Sequence, residues 1–375
     1  MSSDWCHVSF GDLAINLDTR RKPVKEADRK PGPYPYYGAS GIVDYVDGYL
    51  FEGEHLLIAE DGENLRTRQT PIAFTASGKF WVNNHAHIVI GNEKASTLFL
   101  KYALLGTDIS GYLTGAVMPK LTQGNLNKIA VPCPPRGVQD QITGILGSLD
   151  DRITLLRETN TLLEQIAQTI FKSWFVDFDP VRAKQEGRFP EGMDEETAAL
   201  FPDSFEESEL GMVPRGWAVA PLQEAFDINP RRELRKGQLA PYLEMAGVGT
   251  QGHFVSGMVM REMGSGSKFL NGDTLLARIT PCLENGKTAF IDCLAEGQTG
   301  WGSTEFLVLR PKKPLPPYFG YLLCRHKVFR DFAIQSMSGT SGRQRVQNDV
   351  LGRFPVAIPA EEVASAFEQI VTGIQ

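Results

Sequence analysis

The sequence is poor in cysteine and contains no long apolar run. Its five cysteines are scattered over 375 residues, and no two of them have the Cys-x-x-Cys spacing of a zinc or redox motif. No window of about 18 apolar residues occurs, so no transmembrane helix is predicted. The N-terminus lacks a basic stretch followed by an apolar run, so no signal peptide is predicted. These absences favour a reduced, cytoplasmic protein without a disulfide framework.

Catalytic signatures are also missing. Gly286-Lys287-Thr288 resembles the end of a phosphate-binding loop, but Pro281 stands where that motif needs its first glycine. His85 and His87 are two residues apart and could ligate a metal as a pair, yet no third ligand is near in sequence. Structural or DNA-facing histidines are the preferred interpretation. The chain is therefore predicted to have no catalytic residues and no metal site.

The charge is weakly acidic and unevenly distributed. Hydrophobic residues make up 42% and charged residues 22% of the chain, which is ordinary for a globular protein. The net charge of −7 counts against nucleic-acid binding, because phosphate contacts need clustered Lys and Arg. However, residues 181–215 carry nine acids and four bases, so they contribute −5 and leave −2 for the rest. Locally basic faces elsewhere are therefore not excluded.

The chain contains an internal repeat. Three segments recur in the same order, with offsets of 219, 219 and 225: Gly53–Leu57 as Gly272–Leu276, Leu98–Leu104 as Pro317–Leu323, and Ile129–Pro134 as Phe354–Pro359. A period this long indicates two copies of a domain rather than a solenoid.

Each copy has the pattern of a β-rich domain with one helix. Short apolar runs bounded by Gly, Asn and Pro predict buried strands. These runs are Leu56–Ala59, His87–Ile90 and Ile129–Val131 in copy one, and Leu275–Ala277, Phe306–Leu309 and Val356–Ile358 in copy two. The helices are predicted over Ser96–Leu105, with Ser96 as N-cap, and over Pro317–Phe332.

A long helix is predicted between the copies. From Val138 to Trp174, apolar residues recur mostly every three or four positions, which is a coiled-coil-like stripe. A helix of some 38 residues would span roughly 55–60 Å, and alone it could not bury such a stripe, so it must pack against a partner helix. A second such helix is predicted to start at Glu361, with about 15 residues after Ala360.

These patterns predict an α+β fold, with two duplicated β-rich domains separated by a long coiled-coil-like helical spacer. The predicted parts are a first β-rich domain (1–135), the spacer helix (136–180), an acidic Pro/Gly linker (181–214), a second β-rich domain (215–360) and a shortened C-terminal helix (361–375).

The arrangement resembles the specificity subunit of Type I restriction-modification systems. The most specific segments are Ile170–Lys184 and Phe201–Trp217, which look like the central conserved region of that family. Tyr36–Ile42 and Ile129–Gln141 look like features of its first recognition domain. One departure is that the family's second conserved helix usually matches the first in length. Either the chain is truncated here or another subunit supplies the packing partner.

The resemblance implies a non-catalytic adaptor in DNA methylation and phage defence. Each target recognition domain would read half of a split, asymmetric site in double-stranded DNA. The helical spacer would dock two methyltransferase subunits, and restriction/translocase subunits would join that core. S-adenosylmethionine, ATP and Mg²⁺ would belong to these partners, with no cofactor in this chain. The alternative from another class is a tandem β-rich protein-interaction scaffold without DNA specificity.

Candidate DNA contacts are Arg, Lys, Asn, Gln and His side chains in the polar loops between strands. They are Arg66, Arg68, Lys79, Asn83, Asn84, His85, Lys120 and Gln123 in copy one, and Arg231, Arg232, Arg235, Arg278, Lys287, Arg343 and Arg345 in copy two. Ordinary solvated surface charge is the competing interpretation for each of them. Candidate partner contacts are Ile153, Leu156, Leu163, Ile170, Trp174 and Phe175. The aromatic residues among the latter, with Phe178, either anchor a partner or cap the helical core.

Overall fold

The structure is a computed structural model that describes residues 5–209, 211–340 and 342–374. The chain forms two compact units, which divide between Leu155 and Leu156 within one continuous helix. We call them unit one and unit two. None of the described helices is both long and apolar enough to cross a membrane.

Among the residues that the structure describes, unit one contains ten strands, three short α-helices and the start of the long helix. They are β1 (His7–Ser9), β2 (Ala14–Asn16), β3 (Pro31–Gly38), β4 (Gly41–Val46), β5 (Phe51–Glu52), β6 (His55–Ala59), α1 (Asn64–Thr67), β7 (Ala73–Ala76), β8 (Lys79–Val82), β9 (Ala86–Gly91), α2 (Thr97–Leu105), α3 (Gln123–Lys128), β10 (Ala130–Pro132) and α4 (Arg136–Phe175).

Two four-stranded sheets and one two-stranded ladder organise unit one. The sheets have the strand orders β2-β9-β6-β7 and β4-β3-β8-β5, and β1 pairs with β10. Leu56 and Ile58 on β6 pack with Phe99 of α2, whereas Leu57 packs with Phe80 of the second sheet. Because successive side chains of β6 point to opposite faces of the sheet, this strand contributes to two hydrophobic cores, one on each face.

Unit two contains the rest of α4 and the remaining elements. They are α5 (Asp179–Gln185), α6 (Glu195–Ala199), β11 (Phe205–Ser208), β12 (Gly211–Pro214), β13 (Ala218–Pro221), α7 (Leu222–Ala225), β14 (Phe226–Ile228), β15 (Leu239–Leu243), β16 (Val259–Glu262), β17 (Ser267–Phe269), β18 (Thr274–Ala277), β19 (Thr288–Phe290), β20 (Gly300–Gly302), β21 (Phe306–Pro311), α8 (Pro317–Arg325), α9 (Lys327–Gln335), β22 (Met337–Ser338), β23 (Arg345–Val346), α10 (Asn348–Leu351), β24 (Pro355–Ile358) and α11 (Glu361–Ile374).

The two units repeat the same topology, which confirms the internal duplication and the predicted fold class. Unit two has sheets of order β14-β21-β18-β19 and β16-β15-β20-β17, and a β13-β24 ladder. In each unit a Tyr and a Trp face each other across the parallel pair of the second sheet: Tyr36 and Trp81, then Tyr242 and Trp301. An arginine lies over the tyrosine ring in both, at 4.6 Å for Arg29 and 4.7 Å for Arg261.

The structural alignment of the copies differs by one residue from the sequence match at β6. The offset of 219 pairs Leu56 with Leu275. In the structure Leu56 belongs to the core beside α2, whereas the core beside α8 takes Leu276 and leaves Leu275 to the opposite face. A shift of one residue turns a strand over. Leu57, in the core on the other face of β6, therefore corresponds to Leu275, and the correct offset in this strand is 218.

The helix predictions are confirmed with one correction. The Ser96 hydroxyl accepts the Phe99 N–H at the start of α2, as expected of an N-cap. The single helix predicted over Pro317–Phe332 is wrong, because the chain is extended at His326 and forms α8 and α9 on either side. No Gly or Pro marks this break. The ring of His326 instead contacts Phe171 of α4, a tertiary contact that local sequence does not reveal.

The acidic segment after α4 folds onto unit two rather than running as an open connection. It forms α5, α6 and the β11-β12 hairpin. Val181, Phe201 and Val213 are buried, and the Lys184 ammonium donates to the carbonyls of Ala198 and Phe201. The acidic side chains remain on the outside, which is why the composition resembles that of a linker.

Candidate nucleic-acid interface

Several of the candidate DNA contacts in unit one converge at the end of β6. The Leu121 N–H donates to the carbonyl of Glu60 at 2.8 Å, and the Glu60 N–H donates to the carbonyl of His85 at 2.9 Å. The Lys120 ammonium lies 3.2 Å from the Glu60 carboxylate, and the His85 ring lies 2.8 Å from the Asp61 carboxylate. Asn83 accepts the His85 N–H through its side chain. This group presents a lysine, a histidine and an amide at one edge.

A buried ionic network supports that edge. His87 places Nδ1 2.6 Å from the Asp18 carboxylate and Nε2 2.7 Å from the Leu121 carbonyl. Both ring nitrogens therefore face oxygen atoms. Arg21 lies 2.9 Å from Glu60. The two histidines flanking residue 86 are therefore partners of separate carboxylates, and the described residues contain no group of three or more potential metal ligands.

The electrostatics of the network favour ionised carboxylates. Burial raises the pKa of Asp18, but hydrogen bonds from His87 and from the Ile88 N–H, with the charges of His87 and Arg21, outweigh it and lower the pKa overall. Burial likewise raises the pKa of Glu60, and Arg21, His87 and Lys120 together lower it below its usual value. The acids thus hold the surrounding cations in place at neutral pH.

Unit two has an equivalent group at the end of β18. The Val346 N–H donates to the Arg278 carbonyl at 2.9 Å, and the Arg278 N–H donates to the Glu305 carbonyl at 3.0 Å. Arg345 binds both carboxylate oxygens of Glu305, at 2.6 and 2.9 Å, and this contact lowers the pKa of Glu305. The Arg278 guanidinium donates to the Val346 carbonyl. Arg345 therefore takes the place of Lys120, and its carboxylate partner Glu305 directly precedes β21, the strand beside β18, instead of following β18 itself.

Other candidates lie apart from these two groups, and several donate to groups within the protein. Arg68 donates to the carbonyls of Leu105 and Thr107, and together with Arg66 it lines a cavity of about 380 Å³. Arg232 pairs with the buried Asp273, and Lys287 donates to the carbonyls of Met245 and Val248. The exposed candidates outside the two groups are Arg66, Lys79, Asn84, Gln123, Arg231, Arg235 and Arg343.

Sequence reasoning missed the acidic half of both groups. Glu60, Asp18 and Glu305 were not candidates, because a search for phosphate and base contacts selects cations and amides. The signal that could have found them is the repeat itself. When the two copies are aligned so that residues on the same face of the sheet correspond, Lys120 and Arg345 fall at equivalent positions. Each of these cations then predicts a carboxylate nearby.

The candidate partner contacts on α4 divide into exposed and buried sets. Ile153 and Leu156 are exposed, as are Ile145 and Leu149 earlier in the same stripe. Leu163 and Ile170 are half-buried. Nothing in the described chain covers the middle of the stripe, as expected of a surface made for another helix or subunit.

Trp174 and Phe175 are buried in the core of unit two. The Phe367 ring of α11 lies 5.8 Å from Trp174 and 4.8 Å from Phe175, between ring centres. Phe178 contacts the ring of Trp217 at 5.7 Å. The sequence left two interpretations open for these aromatic residues. In the structure they cap the helical core and have little exposed surface left for a partner.

Comparison with known proteins agrees with this architecture. Residues 2–165 match the family described as the Type I restriction modification DNA specificity domain. Residues 2–165 of this chain therefore belong to that domain family. A crystal structure of the specificity subunit from M. genitalium matches 99% of this chain and 89% of that one, with a TM-score of 0.56 and 13% identity, which shows a shared fold.

Two curated specificity subunits from Haemophilus influenzae are among the relatives. A putative type I restriction enzyme specificity subunit is 44% identical over 138 residues, covering 37% of this chain and 35% of that protein. The HindI specificity subunit is 28% identical over 228 residues, covering 53% and 46%. The chain thus spans about a third to a half of the length of these family members.

Proposed function

We propose that this chain is the non-catalytic DNA-specificity subunit of a Type I restriction-modification complex. Each unit reads one half of a bipartite, asymmetric site in double-stranded DNA. The observation that carries the proposal is the repeated two-sheet architecture whose first copy matches a DNA specificity domain, with different side chains at equivalent edges. Two copies that share a fold but differ in the side chains at these edges are suited to reading two different half-sites. The family match does not favour the alternative of a protein-interaction scaffold.

The exposed stripe of α4 supports the proposed docking of two methyltransferase subunits. Ile145, Leu149, Ile153 and Leu156 follow each other at intervals of three or four residues and are open to solvent. Restriction/translocase subunits would join this core. S-adenosylmethionine, ATP and Mg²⁺ would bind to those partners and not to this chain, and the complex would act in the cytoplasm.

The test is co-expression of the chain with a candidate methyltransferase subunit, followed by selection from a random duplex library. We expect enrichment of a split motif with a fixed gap. A complex that forms but enriches no motif would contradict DNA specificity.

The docking surface is tested in the same experiment with two variants. Ile153→Asp/Leu156→Asp should abolish capture of the methyltransferase subunit, because two charges would enter an apolar contact. Arg152→Asp, on the exposed charged flank of the same helix, is the matched control and should retain capture. Equal capture by both variants would contradict docking at the stripe.

A further inference from the structure

Each unit carries a hairpin with the same stem and a different tip. In unit one, Thr114 and Lys120 exchange two backbone hydrogen bonds of 2.8 and 2.7 Å. In unit two, Ser338 pairs with Arg345 and Met337 with Val346. The returning strand of each stem also bridges the segment that continues β6 or β18, through Asp61 with Lys120 and through Ile279 with Arg345. The two hairpins therefore occupy equivalent places.

Ion pairs fix both stems. Lys120 lies 3.2 Å from Glu60, and Arg345 binds Glu305 with two oxygens. In unit one the Arg66 guanidinium also donates to the Gly115 carbonyl at 2.9 Å, which braces the base of the tip. The stems are thus joined to the sheet, while residues 115–118 in unit one and residues 339, 340, 342 and 343 in unit two are exposed.

The tip of unit one is apolar and exposed. It comprises residues 115–119, in which Val117 is 95% and Met118 is 62% exposed. Gly115 has a φ of +89°, and a Cβ at this position would lie 2.1 Å from the Met118 carbonyl oxygen. The turn is therefore tight and holds the two apolar side chains outward, a costly arrangement unless another molecule covers them.

The tip of unit two is polar. It comprises residues 339–344, with Ser341 outside the described residues. Arg343 is exposed, and among the residues that the structure describes no group binds its guanidinium. Gln344 follows it and is half-buried. Equivalent loops on one frame therefore present two different chemistries, hydrocarbon in unit one and hydrogen-bond donors in unit two.

We propose that these two hairpin tips read bases, one in each half-site, an inference that rests on the proposed function. Val117 and Met118 would contact the methyl group of thymine, whereas Arg343 and Gln344 would donate to the edges of guanine and adenine. A partner present in two copies would need the same tip twice. Two different half-sites would need two chemically different tips on equivalent stems, which is the arrangement seen in the two units.

The experiment selects duplexes from a random library with the complex of this chain and its methyltransferase subunit. For Val117→Ser/Met118→Ser, we expect loss of preference at one or two adjacent positions in one half of the motif. For Arg343→Ala/Gln344→Ala, we expect the same in the other half only. Binding to the original site should weaken roughly tenfold to hundredfold in each case.

Matched controls change exposed residues of the same types elsewhere. Val328→Ser on α9 and Arg353→Ala after α10 should leave the motif and the affinity unchanged. Val117→Thr keeps the shape of the side chain and serves as a second variant if the double serine variant folds poorly.

Three outcomes would overturn the inference. An unchanged motif in both tip variants would show that the tips do not read bases. Uniform weakening on all sequences, with the motif retained, would assign the tips to phosphate contact. If the unaltered complex selects no motif at all, the proposed function itself fails, and the inference fails with it.

Discussion

Glu164 is a carboxylate on α4 that is buried within unit two. Its oxygens accept hydrogen bonds from Tyr321 at 2.7 Å, from Gln168 at 2.7 Å and from Tyr318 at 3.4 Å, and Arg325 lies 4.0 Å away. Burial and this carboxylate together raise the pKa of both tyrosines well above their usual value. The residue therefore joins the helix to α8 by a satisfied polar network.

We expect Glu164→Leu to destabilise unit two by about 3 kcal/mol, because Tyr321 loses its hydrogen-bond acceptor in a buried place and Arg325 loses a nearby opposite charge. Urea unfolding monitored by circular dichroism measures the change. Glu158→Leu, at an exposed position on the same helix, is the control and should be nearly neutral. Equal stability of the two variants would show that the network contributes nothing.

Asp18 makes unit one sensitive to acid. Its pKa lies below the unfolded value of 3.8, so below about pH 4 the unfolded state binds a proton more readily than the folded state. The stabilisation is present above that value and is lost as the pH falls through the folded pKa. Between pH 5 and pH 3, the melting temperature of Asp18→Asn should therefore fall less than that of the unaltered chain. Asp12→Asn changes an exposed carboxylate and is the control, so its melting temperature should fall with pH as that of the unaltered chain does. If the melting temperature of Asp18→Asn fell as steeply as that of the unaltered chain, the assignment would be contradicted.

The sequence revealed which side chains carry charge but not which are available to a ligand. Arg68, Arg232 and Lys287 satisfy the composition of a DNA contact, yet each donates to groups of the protein itself. These partners lie 37 to 42 residues away in the chain. Only the folded chain brings them together, so neither spacing nor local pattern could have excluded these residues.

At the scale of the element, α4 is buried at its C-terminal end and exposed in its middle. Residues 151–162 are exposed throughout, whereas Ala167, Phe171 and Trp174 are buried. Isolated helical segments are marginally stable in water because their stability comes mainly from packing.

We therefore expect amide hydrogens of residues 151–162 to exchange faster than those of residues 167–175. Addition of the methyltransferase subunit should slow exchange in the first segment and leave the second unchanged. Mass spectrometry of exchanged peptides measures both rates. Uniform protection along the free helix would mean that the stripe is already covered in solution.

The short helix α11 is an integral part of the core of unit two. Phe367 is fully buried among Phe171, Trp174 and Phe175. Phe367→Ala should cost about 3–5 kcal/mol of unfolding free energy, since it leaves a cavity between two helices. Glu368→Ala, exposed on the next position, should change it little. Urea midpoints of the two variants decide the matter, and a small effect of Phe367→Ala would place α11 outside the core.

The elements predicted from sequence are those with a clear apolar pattern, and the missed ones lack it. The long helix was expected from Val138 and begins at Arg136, because its periodicity is long and regular. Strand β3 contains Pro31, Pro33 and Pro35, which argue against a strand, yet it pairs with β4 and, beyond the last proline, with β8. Pro33 lies in the irregular part of the ladder between Pro31 and Tyr34, whereas Pro35 pairs regularly with Tyr45, a detail that only the register shows.

At the scale of the whole molecule, the number of exposed cations would limit the strength of the non-specific DNA binding that the proposed function implies. Apart from Arg343, which is proposed to read a base, the exposed candidate cations number five: Arg66, Lys79, Lys120, Arg231 and Arg235. If each neutralises one phosphate, the logarithm of the binding constant should fall with the logarithm of salt concentration with a slope of about −5. Fluorescence anisotropy with a random duplex measures this slope. Removal of Arg231 should reduce its size by about one unit, and a slope near zero would contradict the phosphate contacts.

Each unit closes on itself by pairing the first and last strands of its recognition domain. His7 faces Pro132 in one ladder, and Ala218 faces Ile358 in the other. The chain then passes within four residues into α4 or α11. Everything that lies between the two strands can therefore be replaced by another domain with the same end spacing, and the helices still begin at the same points. Under the proposed function, a new DNA target would be acquired by exchange of one such cassette, without change to the helical surfaces proposed to bind other subunits.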